Sequence, residues 1–446
     1  MRKTLLILIV ISTSLVFILR LYYLQVYATE PYSIYEDNAI RKVFTYPKRG
    51  YIYDRNNNLL VSNQPSYDVM IIPGLVKELD TTEFCKLLKI SKDYFDNKIE
   101  RTRKYSTRIP SVFLAHLSKE DYGFLAEKIR KYDGFYIQKR NLRQYNTTIG
   151  ANVLGYVAEV NRSNLENDNY YSQGDIIGKQ GVELSYEKYL RGEKGIKFIQ
   201  KDRFNRDIGS FNDGLNDINS IAGNDLTITI DSELQEYGEL LMSNKKGAIV
   251  AVEPSSGELL TLVSAPSYNP NLLVGRERSK NYFELYQDSI YKPLLDKGLL
   301  STFPAGSPFK VIVGLIALEE EVISEKSTIF CKGQYIYGRN KKSMKCHCGG
   351  GYRNIYNAIS ESCNSYFADI YRKTIGKNNE ISDNFNSWSE SVKSFGLGNY
   401  LNNDLPIGKK GMIPTSKFYE LWKSIFYSQN YNMKNFVHKD FEFVNL

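Results

Sequence analysis

Ser307 and Lys310 stand three residues apart in the stretch Phe303-Pro304-Ala305-Gly306-Ser307-Pro308-Phe309-Lys310. A serine hydroxyl is a weak nucleophile until a base takes its proton. A lysine held in a dry pocket can have its pKa lowered enough to be that base. Pro304 and Gly306 are turn residues, and Pro308 suits the first turn of a helix, where a missing N–H is not needed. The apolar run Val311 to Leu318 follows, so the stretch predicts a tight turn feeding a buried helix with Ser307 at its cap. Residues i and i+3 share a helix face, which puts the ammonium within reach of the hydroxyl. The helix N-terminus adds partial positive charge where an oxyanion would develop. Ser-x-x-Lys alone equally describes a capped core helix with a surface lysine. A second signal lies downstream, where Ser362-Cys363-Asn364 forms a Ser-x-Asn triplet inside Ala358 to Phe367. Together the two describe acyl transfer through a serine ester.

Between them lies a set of soft ligands. Cys331, Cys346, His347, Cys348 and Cys363 fall in one short region. Thiolates with an imidazole suit tetrahedral zinc, although the spacing is not that of paired Cys-x-x-Cys knuckles. A disulfide such as Cys331–Cys346, or free buried thiols, fits the same residues. With Cys85 the count is five, an odd number that excludes pairing every cysteine within one chain. His347 has no partner-rich context for a general base.

The elements that must position these groups can be read in order. A chain of 446 residues has room for two or three domains. The net charge of +8 suits an anionic surface such as a membrane or wall polymer and does not argue for nucleic acid. Arg2 and Lys3 precede an apolar run from Thr4 to Leu19, then Arg20. The run reaches membrane-spanning length if Arg20 snorkels to the interface, and the basic start places the N-terminus in the cytoplasm and the bulk outside. No small-x-small cleavage site follows, which favours an uncleaved anchor over a signal peptide. Lys48-Arg49-Gly50-Tyr51-Ile52-Tyr53-Asp54-Arg55-Asn56 through Val61 reads as a hairpin, with Arg49, Asp54 and Arg55 as a charge cluster. Thr82–Leu88 and Lys119–Tyr132 read as helices, and Gly178-Lys179-Gln180-Gly181-Val182-Glu183 as a glycine turn entering a helix that ends near Leu190. Asp225 to Asp231 alternates as a strand, and Ser232–Met242 reads as a helix. Residues 247–252 and 258–263 read as two strands joined by Glu253-Pro254-Ser255-Ser256-Gly257.

Taken together, the Arg-Gly-x-Ile-Tyr-Asp-Arg-Asn hairpin, Val153-Leu154-Gly155-Tyr156, Gly-x-x-Gly-x-Glu, Pro266-Ser267-Tyr268-Asn269-Pro270-Asn271 and then the Ser307 and Ser362 motifs resemble the class B penicillin-binding proteins. Among these the chain is most similar to the elongation-type penicillin-binding protein 2 group. The resemblance implies an α/β multi-domain chain: an N-terminal cytoplasmic tip and membrane helix over residues 1–28, an elongated mixed α+β pedestal or dimerisation-type domain with an inserted head over 29–222, and an α/β sandwich transpeptidase domain over 223–446 with the nucleophile where sheet and helix meet. It implies a peptidoglycan D,D-transpeptidase in which Ser307 is the nucleophile, Lys310 the base, Ser362 the proton relay and Asn364 the holder of the substrate amide. β-Lactams would acylate the same serine. Implied partners are stem peptides and lipid-linked precursors, the membrane, and a shape-determining glycosyltransferase of the elongation machinery. The implied location is the bacterial inner membrane, single-pass, with the bulk on the outer side. No cofactor is required, and some relatives carry a zinc near the cysteine-rich region. One departure stands out. No Lys-Thr-Gly or Lys-Ser-Gly follows Asn364, so the transpeptidase domain is expected to lack its C-terminal part. The alternative to an enzyme is then an inactive membrane scaffold that keeps the partner-binding pedestal.

Overall fold

A computed structural model of the protein describes residues 2–23, 40–77, 79–117, 119–202, 207–338, 341–400, 403–405 and 407–421. The chain forms two compact units, Met1–Gly298 and Leu299–Leu446. The boundary expected at residue 222 therefore falls inside the first unit.

The first unit begins with helix α1 (Arg2–Tyr22), in which the side chains of Ile7, Leu8, Ile11, Leu15 and Phe17 are exposed. Its uncharged run, Thr4 to Leu19, is 16 residues long. At about 1.5 Å per residue that covers roughly 24 Å, short of the roughly 30 Å of a hydrocarbon core. Among the described residues no helix is long and apolar enough to cross a membrane. The expected anchor is thus present as a helix but not as a complete span, and residues 24–28 lie outside the described residues.

The predicted hairpin forms from β1 (Ile52–Tyr53) and β2 (Leu59–Ile71), antiparallel with Ile52 opposite Val61. Its turn is held by Asp54, which is fully buried. Asp54 Oδ1 accepts the backbone N–H groups of Asn56 at 2.8 Å and Asn58 at 2.7 Å, and Oδ2 accepts the Ser232 hydroxyl at 2.6 Å. Burial pushes this carboxyl up, but the Ser232 and Asn58 hydrogen bonds hold it below its ordinary value. The charge cluster expected here does not form, because its members have different partners. Arg55 lies 3.7 Å from Glu258 on the surface, where such pairs contribute little. Arg49 instead enters a buried network.

That network explains the Gly-x-x-Gly-x-Glu segment. Glu183, with no exposed surface, accepts Arg49 Nε and Arg143 Nε, each at 2.6 Å. Arg49 Nη2 also donates to Glu187 at 2.6 Å, and Arg143 Nη1 donates to Asn63 at 3.0 Å. The helix expected to run to Leu190 is two short ones, α4 (Gly181–Ser185) and α5 (Glu187–Leu190), broken where Tyr186 leaves helical geometry. Gly181 has φ +58°, and a Cβ there would meet the Val153 carbonyl oxygen at 2.2 Å. Glycine at that position is what lets the turn pack closely enough for Glu183 to reach both arginines.

β2 also pairs with β3 (Ser111–Leu117) and β4 (Phe135–Tyr145), both antiparallel. Helices α2 (Thr81–Leu88) and α3 (Lys92–Tyr105) pack on this sheet. Asp80 and Ser91 cap them by accepting N–H groups of their first turns. Phe84, Phe95, Phe113 and Phe135 form the shared core, with ring centroids 4.5–5.9 Å apart in the pairs that touch. Phe84→Ala is expected to destabilise the protein by about 3–5 kcal/mol. A urea midpoint unchanged by the substitution would contradict this packing.

The strand expected over 225–231 shortens to β5 (Leu226–Thr227), parallel to β1. Asp231 caps α6 (Ser232–Leu241). The second hairpin forms as predicted, β6 (Gly247–Val252) against β7 (Leu259–Ala265). Gln235 of α6 ties helix to hairpin through the Leu262 backbone, at 2.9 and 3.1 Å, and the Thr261 hydroxyl at 2.6 Å. This hairpin belongs to the first unit and the Ser307 helix to the second.

The second unit is mostly helical. α7 (Phe309–Glu319), α8 (Ile355–Ser360), α9 (Asn364–Ile375) and α10 (Ile381–Ser394) enclose a core of Val313, Ile316, Ala317, Tyr366, Ile370 and Val392. Short strands, β8 (Ile329–Cys331) and β9 (Lys342–Lys345), lie between α7 and α8 in sequence. The predicted tail from residue 417 is described only to residue 421.

Candidate active site

The turn before α7 forms as its proline and glycine pattern predicts. Gly306 has φ +67°, the Gly306 carbonyl accepts the Phe309 N–H at 3.1 Å, and the Ser307 carbonyl accepts the Lys310 N–H at 3.0 Å. Ser307 lies just ahead of Pro308, which occupies the cap position expected for the serine. The shift leaves Ser307 exposed, while Lys310, on the first turn, is 8% exposed. An accessible nucleophile beside a buried amine is the division of labour that acyl transfer needs.

The Ser-x-Asn triplet is delivered by the turn between α8 and α9. Ser362 has φ +51°, the left-handed region that a non-glycine residue enters at an energetic penalty. The backbone around it is pinned by Ser362 N–H to Ile359 O at 3.1 Å and Cys363 N–H to Ala358 O at 2.8 Å. Cys363 caps α9, its sulfur accepting the Tyr366 N–H at 3.4 Å. The result is convergence on one amine. Lys310 Nζ lies 3.3 Å from Ser307 Oγ, 2.9 Å from both Ser362 Oγ and Ser362 O, and 2.5 Å from Asn364 Oδ1. The Ser362 hydroxyl donates to Ser307 Oγ at 3.0 Å. Ser307 and Lys310, with Ser362 and Asn364 from a motif about fifty residues further on, thus form one constellation. Burial pushes the Lys310 amine below the ordinary lysine value, against the opposing pull of the Cys346, Cys363 and Cys348 thiols. A lowered pKa favours the neutral amine that can accept a proton.

Four of the five residues singled out as metal ligands also converge. The sulfur atoms of Cys331, Cys346, Cys348 and Cys363 all lie within 4.8 Å of one another. Cys348 Sγ is 3.3 Å from that of Cys363 and 3.5 Å from that of Cys331, and Cys346 Sγ is 3.5 Å from that of Cys363. No disulfide joins them; all five cysteines are free. His347 is exposed and stands outside the group, because its neighbours on either side turn inward. Cys85 lies in the core of the first unit. Burial pushes the Cys346 thiol up, but hydrogen bonds from the Ser365 and Cys348 backbone and from the neighbouring thiols bring it down to about 6. Burial holds the Cys363 thiol well above its ordinary value.

One contact was not foreseen from sequence. Asn364 Nδ2 donates to the Lys345 carbonyl at 3.0 Å, so the residue beside Cys346 fixes which way the Asn364 amide points. A backbone acceptor on a short strand leaves no signature in residue type.

Residues 44–228 match the penicillin-binding protein dimerisation domain, and residues 247–431 match the penicillin-binding protein transpeptidase domain. The chain belongs to the penicillin-binding protein family. It is 31% identical over 421 residues to the peptidoglycan D,D-transpeptidase MrdA of Acinetobacter baumannii, covering 92% of this chain and 60% of that protein. It is 30% identical over 426 residues to MrdA of Escherichia coli, covering 90% of this chain and 63% of that protein. The chain therefore spans about 60% of the length of these curated relatives. Among solved structures, the penicillin-binding protein PBP2 of Helicobacter pylori in complex with MreC is similar, with a TM-score of 0.69 and 29% identity over 88% of this chain and 72% of that one. In this chain the Ser-x-x-Lys and Ser-x-Asn elements meet in space.

Proposed function

We propose that this protein is a peptidoglycan D,D-transpeptidase of cell-wall elongation. The observation that carries the proposal is the single amine of Lys310 in contact with Ser307, Ser362 and Asn364. Lys310 takes the Ser307 proton as Oγ attacks the carbonyl of the penultimate D-alanine of a stem peptide. The terminal D-alanine leaves as its amine collects a proton through Ser362. Asn364 holds the substrate amide. The acyl-enzyme then passes to an amine on a neighbouring stem, forming the cross-link and restoring Ser307, or to water in a carboxypeptidase side reaction. A β-lactam opens on Ser307 in the same way and stays attached. Incubating the chain with a penicillin is expected to add one penicilloyl group, lost in Ser307→Ala. The scaffold reading predicts no adduct on a folded chain, and the complete four-residue constellation favours the enzyme.

The exposed apolar side chains of α1, in a run flanked in sequence by Arg2, Lys3 and Arg20, suit single-pass attachment to the bacterial inner membrane with Arg20 snorkelling to the interface. The remainder then lies on the outer side, with access to lipid-linked precursors and to cell-shape partners, a glycosyltransferase of the elongation machinery among them.

The thiol cluster fits a closed structural zinc site. A tetrahedral zinc with bonds of about 2.3 Å sets its sulfurs about 3.8 Å apart, close to the spacing present, and three of the four residues are buried. Cys331, Cys346, Cys348 and Cys363 would hold the ion, which would cross-link the segments before and after α8 without entering the chemistry. Elemental analysis is expected to give about one zinc per chain, and Cys348→Ser to lose it and unfold at lower temperature. A metal-free chain as stable as that variant's parent would contradict the assignment.

A further inference from the structure

Of the four residues of the constellation, Ser362 alone has a positive φ, a conformation that a serine keeps only where its surroundings impose it. One source of that constraint is a residue the proposed chemistry does not use. Arg353 ends strand β10 (Gly351–Arg353), which pairs antiparallel with β8, Arg353 standing opposite Ile329. It precedes Asn354, the residue that caps α8, and Glu361 closes that helix at its other end. The Arg353 guanidinium donates from Nε to Glu361 Oε2 at 2.8 Å and from Nη2 to the Cys348 carbonyl at 2.6 Å. Both are charge-assisted hydrogen bonds, stronger than neutral ones. The Arg353 side chain is 15% exposed and that of Glu361 42%.

Arg353 therefore straps the backbone of Cys348 to the residue directly before Ser362. Gly349, Gly350 and Gly351, all at positive φ, turn the chain back between Cys348 and Arg353 so that the guanidinium meets a carbonyl five residues behind it. The Asn364 amide is tied to the same segment by the Lys345 carbonyl. Residues 345–348 thus grip the Ser-x-Asn triplet twice, through Asn364 on one side and through Arg353 and Glu361 on the other. An ion pair this close to solvent contributes little to stability, so the value of the strap lies in what it orients.

We infer that Arg353 and Glu361 are positioning residues for Ser362, and that they serve proton delivery to the leaving nitrogen rather than the attack by Ser307; the inference rests on the transpeptidase reading. In that step the bond from Ser307 Oγ to the substrate carbonyl carbon forms and the carbon–nitrogen bond breaks. The nitrogen takes the Ser362 proton, and Ser362 regains one from the Lys310 ammonium, which had received it from Ser307. Ser307 and Lys310 are set by the turn before α7, apart from the strap. Ser362 depends on the strap for the placement of its hydroxyl, 2.9 Å from Lys310 Nζ and 3.0 Å from Ser307 Oγ.

The test compares two leaving groups. A β-lactam expels a nitrogen that needs a proton as it departs. A thioester of N-acetyl-D-alanine expels a thiolate, stable enough near neutral pH to leave without one. Acylation of the full chain by penicillin and by the thioester is timed by rapid-quench mass spectrometry, in the parent and in Arg353→Met, which keeps an unbranched stem and has no donor. Penicillin acylation is expected to slow by about ten- to a hundredfold, the scale for a misplaced proton donor, and thioester acylation by less than about twofold. Glu361→Ala removes the other half of the pair from a more exposed position and is the second variant should Arg353→Met not fold; it should show the same selective loss. The double variant should be no slower than Arg353→Met alone, because both changes break one contact. Penicillin acylation at the parent rate in a folded Arg353→Met chain, or equal slowing with both substrates, would overturn the inference. A parent chain that takes up no penicillin would instead remove the transpeptidase reading, so the two failures are told apart.

Discussion

Lys310→Met is expected to slow β-lactam acylation by about 10²–10⁴-fold, the range for losing a positioned general base, while the chain stays folded. Methionine keeps the unbranched stem that packs at the start of α7, so the loss is of the proton acceptor rather than of the helix. The same reasoning fixes the pH dependence. Attack requires the neutral amine, so acylation rises with pH as Lys310 loses its proton. Burial lowers the Lys310 pKa, so the rise is centred below the value of a free lysine. Stopped-flow acylation across pH checks both statements. A Lys310→Met chain that acylates at the parent rate would remove Lys310 from the chemistry, and a rate independent of pH would remove it as the base.

Glu183→Ala is expected to cost about 3–5 kcal/mol of folding free energy, because it leaves Arg143 buried without its carboxylate and Arg49 with Glu187 alone. That is a large share of the roughly 5–15 kcal/mol by which domains are stable, so the variant should express poorly or unfold near ambient temperature. Glu183 also sets an acid limit. Burial alone would push its carboxyl up, but the adjoining Arg143 and Arg49 guanidiniums and their hydrogen bonds hold it below the ordinary glutamate value. A carboxyl with a lower pKa folded than unfolded contributes stability that is fully present above the unfolded value, about 4.3, and is lost as pH falls through the folded value. The stability gap between the parent and Glu183→Gln should therefore narrow as the pH is lowered below about 4. A gap independent of pH would mean that Glu183 is not ionised in the fold. The double mutant Arg49→Ala with Glu183→Ala should lose less than the sum of the single losses, because the two residues share one network.

Much of the site was legible because its chemistry is written in short spacings. Ser307 and Lys310 sit one helical turn apart, and Pro304, Gly306 and Pro308 mark where that turn must begin. The hairpins at Ile52 and Gly247 were legible for a similar reason, since alternation and turn residues are local. What sequence could not give is long-range. Arg49 was read with Asp54 and Arg55 because they are neighbours in the chain, yet its partners are Glu183 and Glu187, more than 130 residues away. Arg143 carried no signal at all, standing in a strand whose polar residues look solvated. His347 was grouped with the cysteines by adjacency, and the alternation of the chain through Cys346 and Cys348 turns it outward. The Ser362 backbone, at positive φ without glycine, is held by α8 and α9 from outside the motif. The division of the chain near residue 298 was not read from the sequence, because the prolines and glycine that follow it, Pro304, Gly306 and Pro308, read as the turn before the Ser307 helix.

The most direct test of the central claim is the mass of the intact chain before and after incubation with a penicillin, followed by peptide mapping, with Ser307→Ala in parallel. The account predicts one penicilloyl group per chain, carried on the peptide containing Ser307 and absent from the variant. A chain shown to be folded that gains no mass, or that gains the same adduct in Ser307→Ala, would contradict it.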